Sequence, residues 1–171
     1  MKVSGRNIKR RLYKVSRLRD RISRARHFRG HGVHSPFVYN IVRQVFMCSY
    51  IKSDKHDLYD ALVERGVPKK RAVQLQNLVG HCGYVRWAID DAAAECEFLI
   101  ATDNVVSEKL AEFIECSARS GATLAILAPY KNRERDEACR RIVANHGCTT
   151  VDNRGYLLIF NNHLPKQHFR L

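Results

Sequence analysis

Three histidines, His27, His31 and His34, lie within eight residues, with His56 and His81 further along the chain. A metal site needs three or four ligands converging on one point. The glycines between them, Gly30 and Gly32, interrupt any regular helical face, so the spacing predicts no metal site. These histidines read instead as groups that fix a loop by hydrogen bonds, or that meet an anion beside the neighbouring cations. A second candidate is Asp103, with Asn104 beside it, which closes the apolar run 97–102. Open α/β sheets place ligand-binding groups at the C-terminal ends of their strands. The same acid can serve as a loop or cap residue for a helix starting near Ser107. His81 and Cys82, between Gly80 and Gly83, put an imidazole next to a thiol, but adjacent residues seldom meet productively and no third partner is in view. The Gly80-x-x-Gly83 spacing is too short for a phosphate loop. Catalytic residues therefore stay unassigned.

Charge is the other chemical signal. Of 171 residues, 30 are Lys or Arg and 17 are Asp or Glu, a net +13. Residues 1–30 alone hold twelve of those cations against one acid, Asp20, a net +11. Basicity therefore belongs to an arm and not to the domain. Within the arm Ile8, Leu12, Val15, Leu18 and Ile22 recur at helical spacing, one apolar stripe among cations. Three readings stay open: a helix docking its stripe on the domain, an arm for RNA or DNA phosphates, and a helix lying on an anionic membrane surface. Lys9, Arg10, Arg11, Lys14, Arg17, Arg21 and Arg24 are the candidate anion contacts. The arm lacks the interleaved aromatics of a base-stacking surface, so nucleic-acid binding would act through phosphate without sequence preference.

Behind the arm the pattern becomes globular. Hydrophobic residues make up 45% of the chain, enough to exclude wholesale disorder. No apolar run approaches the ~20 residues that cross a bilayer, and no signal-peptide core is seen, so a cytoplasmic protein is expected. The six cysteines are scattered without a Cys-x-x-Cys pair and read as reduced packing thiols.

Ser35 is placed to cap, and Pro36 to open, a helix bearing Phe37, Val38, Ile41, Val42 and Val45. Ser53 or Asp54 is placed to cap a second helix with Leu58, Leu62 and Val63, closed by Gly66. Pro68 opens a third, from Lys69 to about Val79, which Gly80-His-Cys-Gly83 should break. Val85, Trp87 and Ile89 alternate as a strand would over residues 84–90, with Trp87 as a core or sheet-face residue. The apolar runs 97–102 and 123–128 read as buried parallel strands. A helix capped by Ser107 and ended by Gly121 joins them. Asn132 caps the next helix, ended by Gly147; a strand over 148–152, a tight turn at 153–155 and a strand over 156–160 close the pattern. This order predicts an α/β sheet with a C-terminal antiparallel hairpin, preceded by a helical region. The expected division is an arm at 1–28, a helical region at 29–82 and an α/β domain at 83–171.

The string Arg29-Gly-His-Gly-Val-His-Ser-Pro-Phe-Val-Tyr39 resembles the N-terminal segment of a family of predicted SAM-dependent O-methyltransferases, which carry His-Gly-Ile/Val-His-Ser-Pro-Phe-Val after a basic start. The motif residues here are His31, Gly32, His34, Ser35, Pro36 and Phe37. Residues 69–79 are similar to the family helix before its first sheet strand. The run 97–103 resembles the family strand ending in Asp-Gly, with Asp103 in the acid's place and Asn104 replacing glycine. The terminal strand 155–160 and the tail Pro165-Lys-Gln-His-Phe169 are similar to the family's close. The resemblance implies a class I methyltransferase, Rossmann-like fold with S-adenosylmethionine as cofactor, bound in part through Asp103 and Asn104.

The chain departs from that pattern where the cofactor would sit. Such an enzyme needs a glycine-rich turn after its first strand and an acid after the next. Residues 84–90 run into Asp90-Asp-Ala-Ala-Ala94, and six residues separate Asp90 from Glu97. Two strand–helix units need about 60 residues at ~30 each. Ala128 and Pro129 stand where the family carries acids after the next strand. The expectation is a partial, degenerate methyltransferase sheet without independent methyl transfer and without a cofactor, acting by interaction. One alternative is an active O-methyltransferase using S-adenosylmethionine, completed by a partner or second copy across an exposed sheet edge. Another is a module for RNA, DNA or an anionic membrane.

Overall fold

The computed structural model describes residues 33–162 and 164–171. The arm at 1–28, with its candidate anion contacts, and the motif residues His31 and Gly32 lie outside the described residues. The remainder is an α/β fold with a six-stranded mixed sheet and, among the described residues, five α-helices.

Helix α1 spans Pro36–Ile41 and continues as a π-helical turn, Val42–Phe46. Ser35 Oγ accepts from the Val38 amide at 3.4 Å, and Pro36 opens the helix, both as the sequence predicts. Helix α2 spans Asp57–Glu64. Neither Ser53 nor Asp54 caps it. His56 stands at the cap without a side-chain bond, and Asp57 and Asp60 place negative charge on the first turn instead.

Helix α3 spans Lys69–Cys82 and corrects a second expectation. Gly80 lies inside it, and Gly83, left-handed at φ 72°, ends it. A glycine within a helix costs propensity without forbidding the turn; a left-handed residue stops it. The inner face of α3 is unusual because Gln74, Gln76 and Asn77 are buried there among apolar neighbours. Gln74 Nε2 donates to the Phe46 carbonyl (2.7 Å) and Asn77 Nδ2 to the Tyr50 carbonyl (2.8 Å). Asn77 Oδ1 accepts from the Lys52 amide and Gln76 Oε1 from the Tyr59 amide, both at 3.0 Å. These side chains supply partners that the loop backbone would otherwise lack.

The strands are β1 (Trp87–Ile89), β2 (Phe98–Ala101), β3 (Thr123–Leu127), β4 (Thr150–Asp152), β5 (Tyr156–Ile159) and β6 (His168–Arg170), in the order β1-β2-β3-β5-β4-β6. β1 is shorter than the alternation suggests. Val85 is 80% exposed, and its amide and that of Arg86 donate to Glu97 Oε2 in place of a sheet ladder. β1, β2 and β3 are mutually parallel; β5 is antiparallel to β3 and β4, forming the expected hairpin. The tail adds β6 parallel to β4.

Between β2 and β3 runs α4 (Leu110–Ser120), preceded by a 3₁₀ turn, Ser107–Lys109. Ser107 makes no capping bond; it begins the 3₁₀ turn, and Val106 occupies the cap position. Gly121, left-handed at φ 72°, ends α4 as expected. Helix α5 (Arg133–Asn145) begins at Asn132, whose side chain accepts from the Arg135 amide at 2.8 Å. His146 takes its C-cap position, ahead of Gly147.

Strands β2, β3 and β5 each contribute to two cores. Phe98, Ile100, Ala125, Leu127, Tyr156, Leu158 and Phe160 pack against α1–α3. Leu99, Ala101, Leu124, Ile126, Leu157 and Ile159 pack against α4 and α5. Burying each large aliphatic or aromatic side chain contributes about 1.5–3 kcal/mol. Helices of the region before residue 83 and strands after it thus share one core.

The end of α3 is checkable by a pair of substitutions. Both glycines have open space where a Cβ would sit. Gly80→Ala is expected to stabilise by about 0.5–1 kcal/mol through helix propensity, and Gly83→Ala to destabilise by about 1–2 kcal/mol through left-handed strain. Urea unfolding of the two variants measures both; equal effects would place the helix end elsewhere.

Candidate functional site

The candidate site is the edge of the sheet where β1, β2, β3 and β4 end. Three non-glycine residues of positive φ lie there: Asp90 after β1 (59°), Ala128 after β3 (46°) and Arg154 in the β4–β5 turn (54°). They are all of that kind among the described residues. Left-handed backbone is disfavoured for residues with a Cβ and gathers where surrounding structure over-determines it.

At Asp90 the determinant is visible. Its amide donates to the Ile100 carbonyl at 2.8 Å, extending the β1–β2 ladder. Its carboxylate accepts from the Thr102 amide through one oxygen and from the Thr102 hydroxyl through the other, each at 2.6 Å. Asp90 thus clamps the end of β2. The chain then returns to the start of β2 through residues 90–97 without a helix. A parallel connection this short works only because the strands are three and four residues long.

Asp103 lies just beyond β2, as the sequence predicts. Lys131, twenty-eight residues on, donates through Nζ to its carboxylate (2.8 Å) and its carbonyl (3.1 Å). That bond holds the Asp103 carboxyl below the ordinary carboxylate range. Both side chains are nearly half exposed, at 45% and 49%. Asn104 donates its amide to Thr102 Oγ1 at 3.2 Å and lines an open cleft of about 540 Å³ with Asp90, Asp91 and Lys109. The two residues therefore sit together at the strand ends, but Asp103 does not line the cleft.

The dominant group at this edge is Arg135, for which the sequence gives no signal. It stands in a charged run, Arg133-Glu-Arg-Asp136, that reads as a solvated helix face. In the fold it is 2% exposed. Its guanidinium donates to the carbonyls of Leu127 (3.1 Å), Val105 (2.5 Å) and Thr102 (2.8 Å). Burial lowers its proton affinity, while the nearby carboxylates of Asp103 and Asp90 oppose that shift. Arg135 ties together the ends of β2 and β3 and the loop after β2, filling space between two parallel strand ends.

A second cavity, about 330 Å³, lies beyond α5 at the end of β4 and β6, bounded by Tyr130, Asp136, Arg140, Asp152, His168 and Arg170. The Tyr130 hydroxyl donates to the buried Asp152 carboxylate, and Arg140 pairs with the buried Asp136 at 2.9 Å. Cys139 also lines it, but burial pushes that thiol up to about 12, so it is protonated near neutrality. The strand β6 that brings His168 and Arg170 here was not legible, since it alternates around only one apolar residue, Phe169.

The motif residues serve a different end of the sheet. Ser35 caps α1, and Phe37 packs edge-on against Phe160 with ring centroids 5.0 Å apart. Because β5 runs antiparallel, Phe160 lies at the N-terminal edge of the parallel strands. His34 is exposed. Cys82 is partly buried, and burial raises its thiol pKa, which removes the His81–Cys82 pair as a nucleophile near neutrality. No group of three or more His, Cys, Asp or Glu side chains that could hold a metal occurs among the described residues.

Strand order bears on what the edge can bind. The parallel strands β1, β2, β3 and β4 are added in one direction across the sheet. Open α/β sheets bind ligands where the order of their parallel strands reverses; here only the antiparallel β5 steps back, between β3 and β4, and the described parallel strands do not reverse.

Removing Arg135 separates these contributions. Arg135→Met is expected to destabilise by about 3 kcal/mol or more, since three buried carbonyls lose partners at roughly 1–3 kcal/mol each. Asp103→Asn breaks an exposed pair and is expected to cost less than about 1 kcal/mol. Because the folded Asp103 pKa is lowered, its contribution is full above about 3.9, the unfolded value, and is lost as pH falls through the lowered one. Urea unfolding at pH 7 and pH 3 checks both. Comparison of the chain with protein-family models, with curated proteins and with solved structures gives no match.

Proposed function

We propose that this protein is a degenerate relative of SAM-dependent O-methyltransferases, without independent methyl transfer, that acts by interaction. Support for the ancestry comes from the motif at 31–37 together with the β1-β2-β3-β5-β4 order and closing hairpin, which resemble the C-terminal half of a class I methyltransferase sheet. One observation carries the loss of activity. The connection from β1 to β2 is a glycine-free loop, residues 90–97, where a cofactor-binding enzyme needs a glycine turn and further strands. The polar groups at that edge already hold internal partners: Asp90 binds Thr102, Asp103 binds Lys131 and Arg135 binds three carbonyls. In this reading Asp103 and Asn104 are remnants of a cofactor-facing loop.

Interaction is assigned to the basic residues 1–28, toward RNA, DNA or an anionic membrane surface, in a cytoplasmic protein. Among the described residues no helix is long and apolar enough to cross a membrane.

A second reading is favoured by one feature. The outer side of β1 pairs with no described strand, so its edge is open to a strand from another chain. A partner or second copy added there would extend the sheet on the side where the missing strands belong, and restore methyl transfer.

Isothermal titration of the full chain with S-adenosylmethionine tests the first reading. No saturable heat is expected; tight one-to-one binding by the monomer would overturn it. A methyl-transfer assay across size-exclusion fractions tests the second, which fails if no oligomeric fraction is active.

A further inference from the structure

Large apolar side chains left in water are few here, and they gather. Of the five among the described residues, Tyr39 (44%), Met47 (45%) and Tyr50 (65%) lie between positions 39 and 50. Tyr39 and Met47 share the outer face of α1 and its π-helical turn with Asn40, Arg43 and Gln44, all exposed, while Val38, Ile41, Val42 and Val45 are buried. Lys52 Nζ donates to Gln44 Oε1 at 2.7 Å, which ties the loop carrying Tyr50 to that face. The Tyr50 carbonyl is held by Asn77. Exposed apolar groups that cluster mark interaction surfaces, whereas single ones do not. π-Helical turns are rare and gather at functional sites.

Charge selects the partner of this ridge. Residues 33–86, which build α1–α3, hold eight Lys or Arg against four acids, and residues 87–171 hold ten against twelve. No acid occurs from 33 to 53, where Arg43 and Lys52 accompany the exposed rings. The ridge begins just after the basic residues 1–30, net +11. That arm lacks interleaved aromatics, and the ridge has them. Like charge sets the ridge against the chain's own arm, or a second copy's, as its occupant. Among the described residues no exposed Trp, Phe or Leu accompanies the tyrosines, and those are the groups a bilayer surface takes up. Tyrosine faces beside cations fit unpaired bases and their phosphates. Asn40 and Gln44 add carboxamides, which donate and accept as a ribose 2′-hydroxyl does.

We propose that the ridge of Tyr39, Arg43 and Met47, with Tyr50 and Lys52 beside it, is a docking surface for single-stranded RNA. Bases stack on the two tyrosines while the arm holds phosphates, so the assignment of residues 1–28 to a polyanion is the reading on which this rests. A phosphate-binding arm by itself favours a duplex, whose charge is denser. The ridge reverses that order, because paired bases offer no open face to a tyrosine. Stacking releases no counterions, so it changes affinity without changing the salt slope.

Fluorescence anisotropy of the full chain with a labelled oligouridine of about 20 nucleotides tests it, between about 0.05 and 0.3 M salt. Oligouridine is expected to bind more tightly than an RNA duplex of the same length, and more tightly than oligodeoxyuridine. Tyr39→Ser with Tyr50→Ser is expected to weaken oligouridine binding by about tenfold or more, while duplex affinity and the salt slope stay as they were. Tyr39→Phe with Tyr50→Phe keeps the ring faces and is expected to bind like the parent; circular dichroism reports whether each variant keeps its fold. A folded serine variant that binds oligouridine as the parent does overturns the proposal. So does a parent that binds duplex or oligodeoxyuridine as tightly, or a phenylalanine variant that falls as far as the serine one. Binding to phosphatidylserine vesicles that the serine changes abolish would give the ridge to a membrane and overturn it too. In each of those cases the arm keeps its polyanion reading, whereas a chain that binds no nucleic acid near 0.05 M salt removes nucleic acid from both. Titration with S-adenosylmethionine is blind to all of these outcomes.

Discussion

A handedness constraint governs the architecture. Crossovers between parallel strands are right-handed almost without exception. Here the parallel strands step one way across the sheet, so both helical crossovers, α4 and α5, fall on the same face. The other face carries Phe98, Ile100, Leu158 and Phe160, which water would otherwise reach. It is covered by α1–α3, helices that come before the sheet in sequence and owe nothing to its winding. A doubly wound sheet covers its second face by reversing strand order. This one uses an N-terminal helical layer instead, and the motif residues Ser35, Pro36 and Phe37 start that layer.

The same one-way order explains the character of the strand ends. Without a reversal there is no natural crevice, and the edge closes on itself. Arg135 exchanges hydration for three carbonyl dipoles, and Asp90 adopts a left-handed backbone while holding both donors of Thr102. Asp90 and Asp103 act on the guanidinium through space without touching it. In energetic terms the buried cation dominates, because orphaned buried carbonyls cost far more than an exposed ion pair contributes. The edge is polar and strained, yet its strain is spent on fastening strands.

Much of the sheet was legible in the residues. The runs around Leu99 and Ala125 are apolar on both faces, Asn132 caps as a cap should, and Gly121 ends its helix in the left-handed conformation. What escaped was decided by tertiary context. Gly80 reads as a stop, but one turn of α3 tolerates it, and the stop falls where Gly83 turns left-handed. Val85 alternates like a strand residue, yet Glu97 takes its amide and leaves its side chain in water. Three polar-flanked residues at 168–170 pair only because β4 offers them an edge. At the site, the position of Asp103 followed from strand-end logic. Its partner Lys131 did not, and Arg135 was hidden in a run whose other cation, Arg133, does face solvent.

The side chains on the inner face of α3 have a further implication. Gln74, Asn77 and Gln76 hold the carbonyls and amides of residues 46, 50, 52 and 59, standing in for a neighbouring strand. A segment suspended from amide hooks is fixed in place without being fixed in sequence, because the hooks grip main chain. The polypeptide between Phe46 and Asp57, which ends before the buried Leu58, is therefore free to vary its composition, and even its length between hooks, while α3 is not. Sequence drift in this protein should pool in that connector and stop abruptly at three carboxamides.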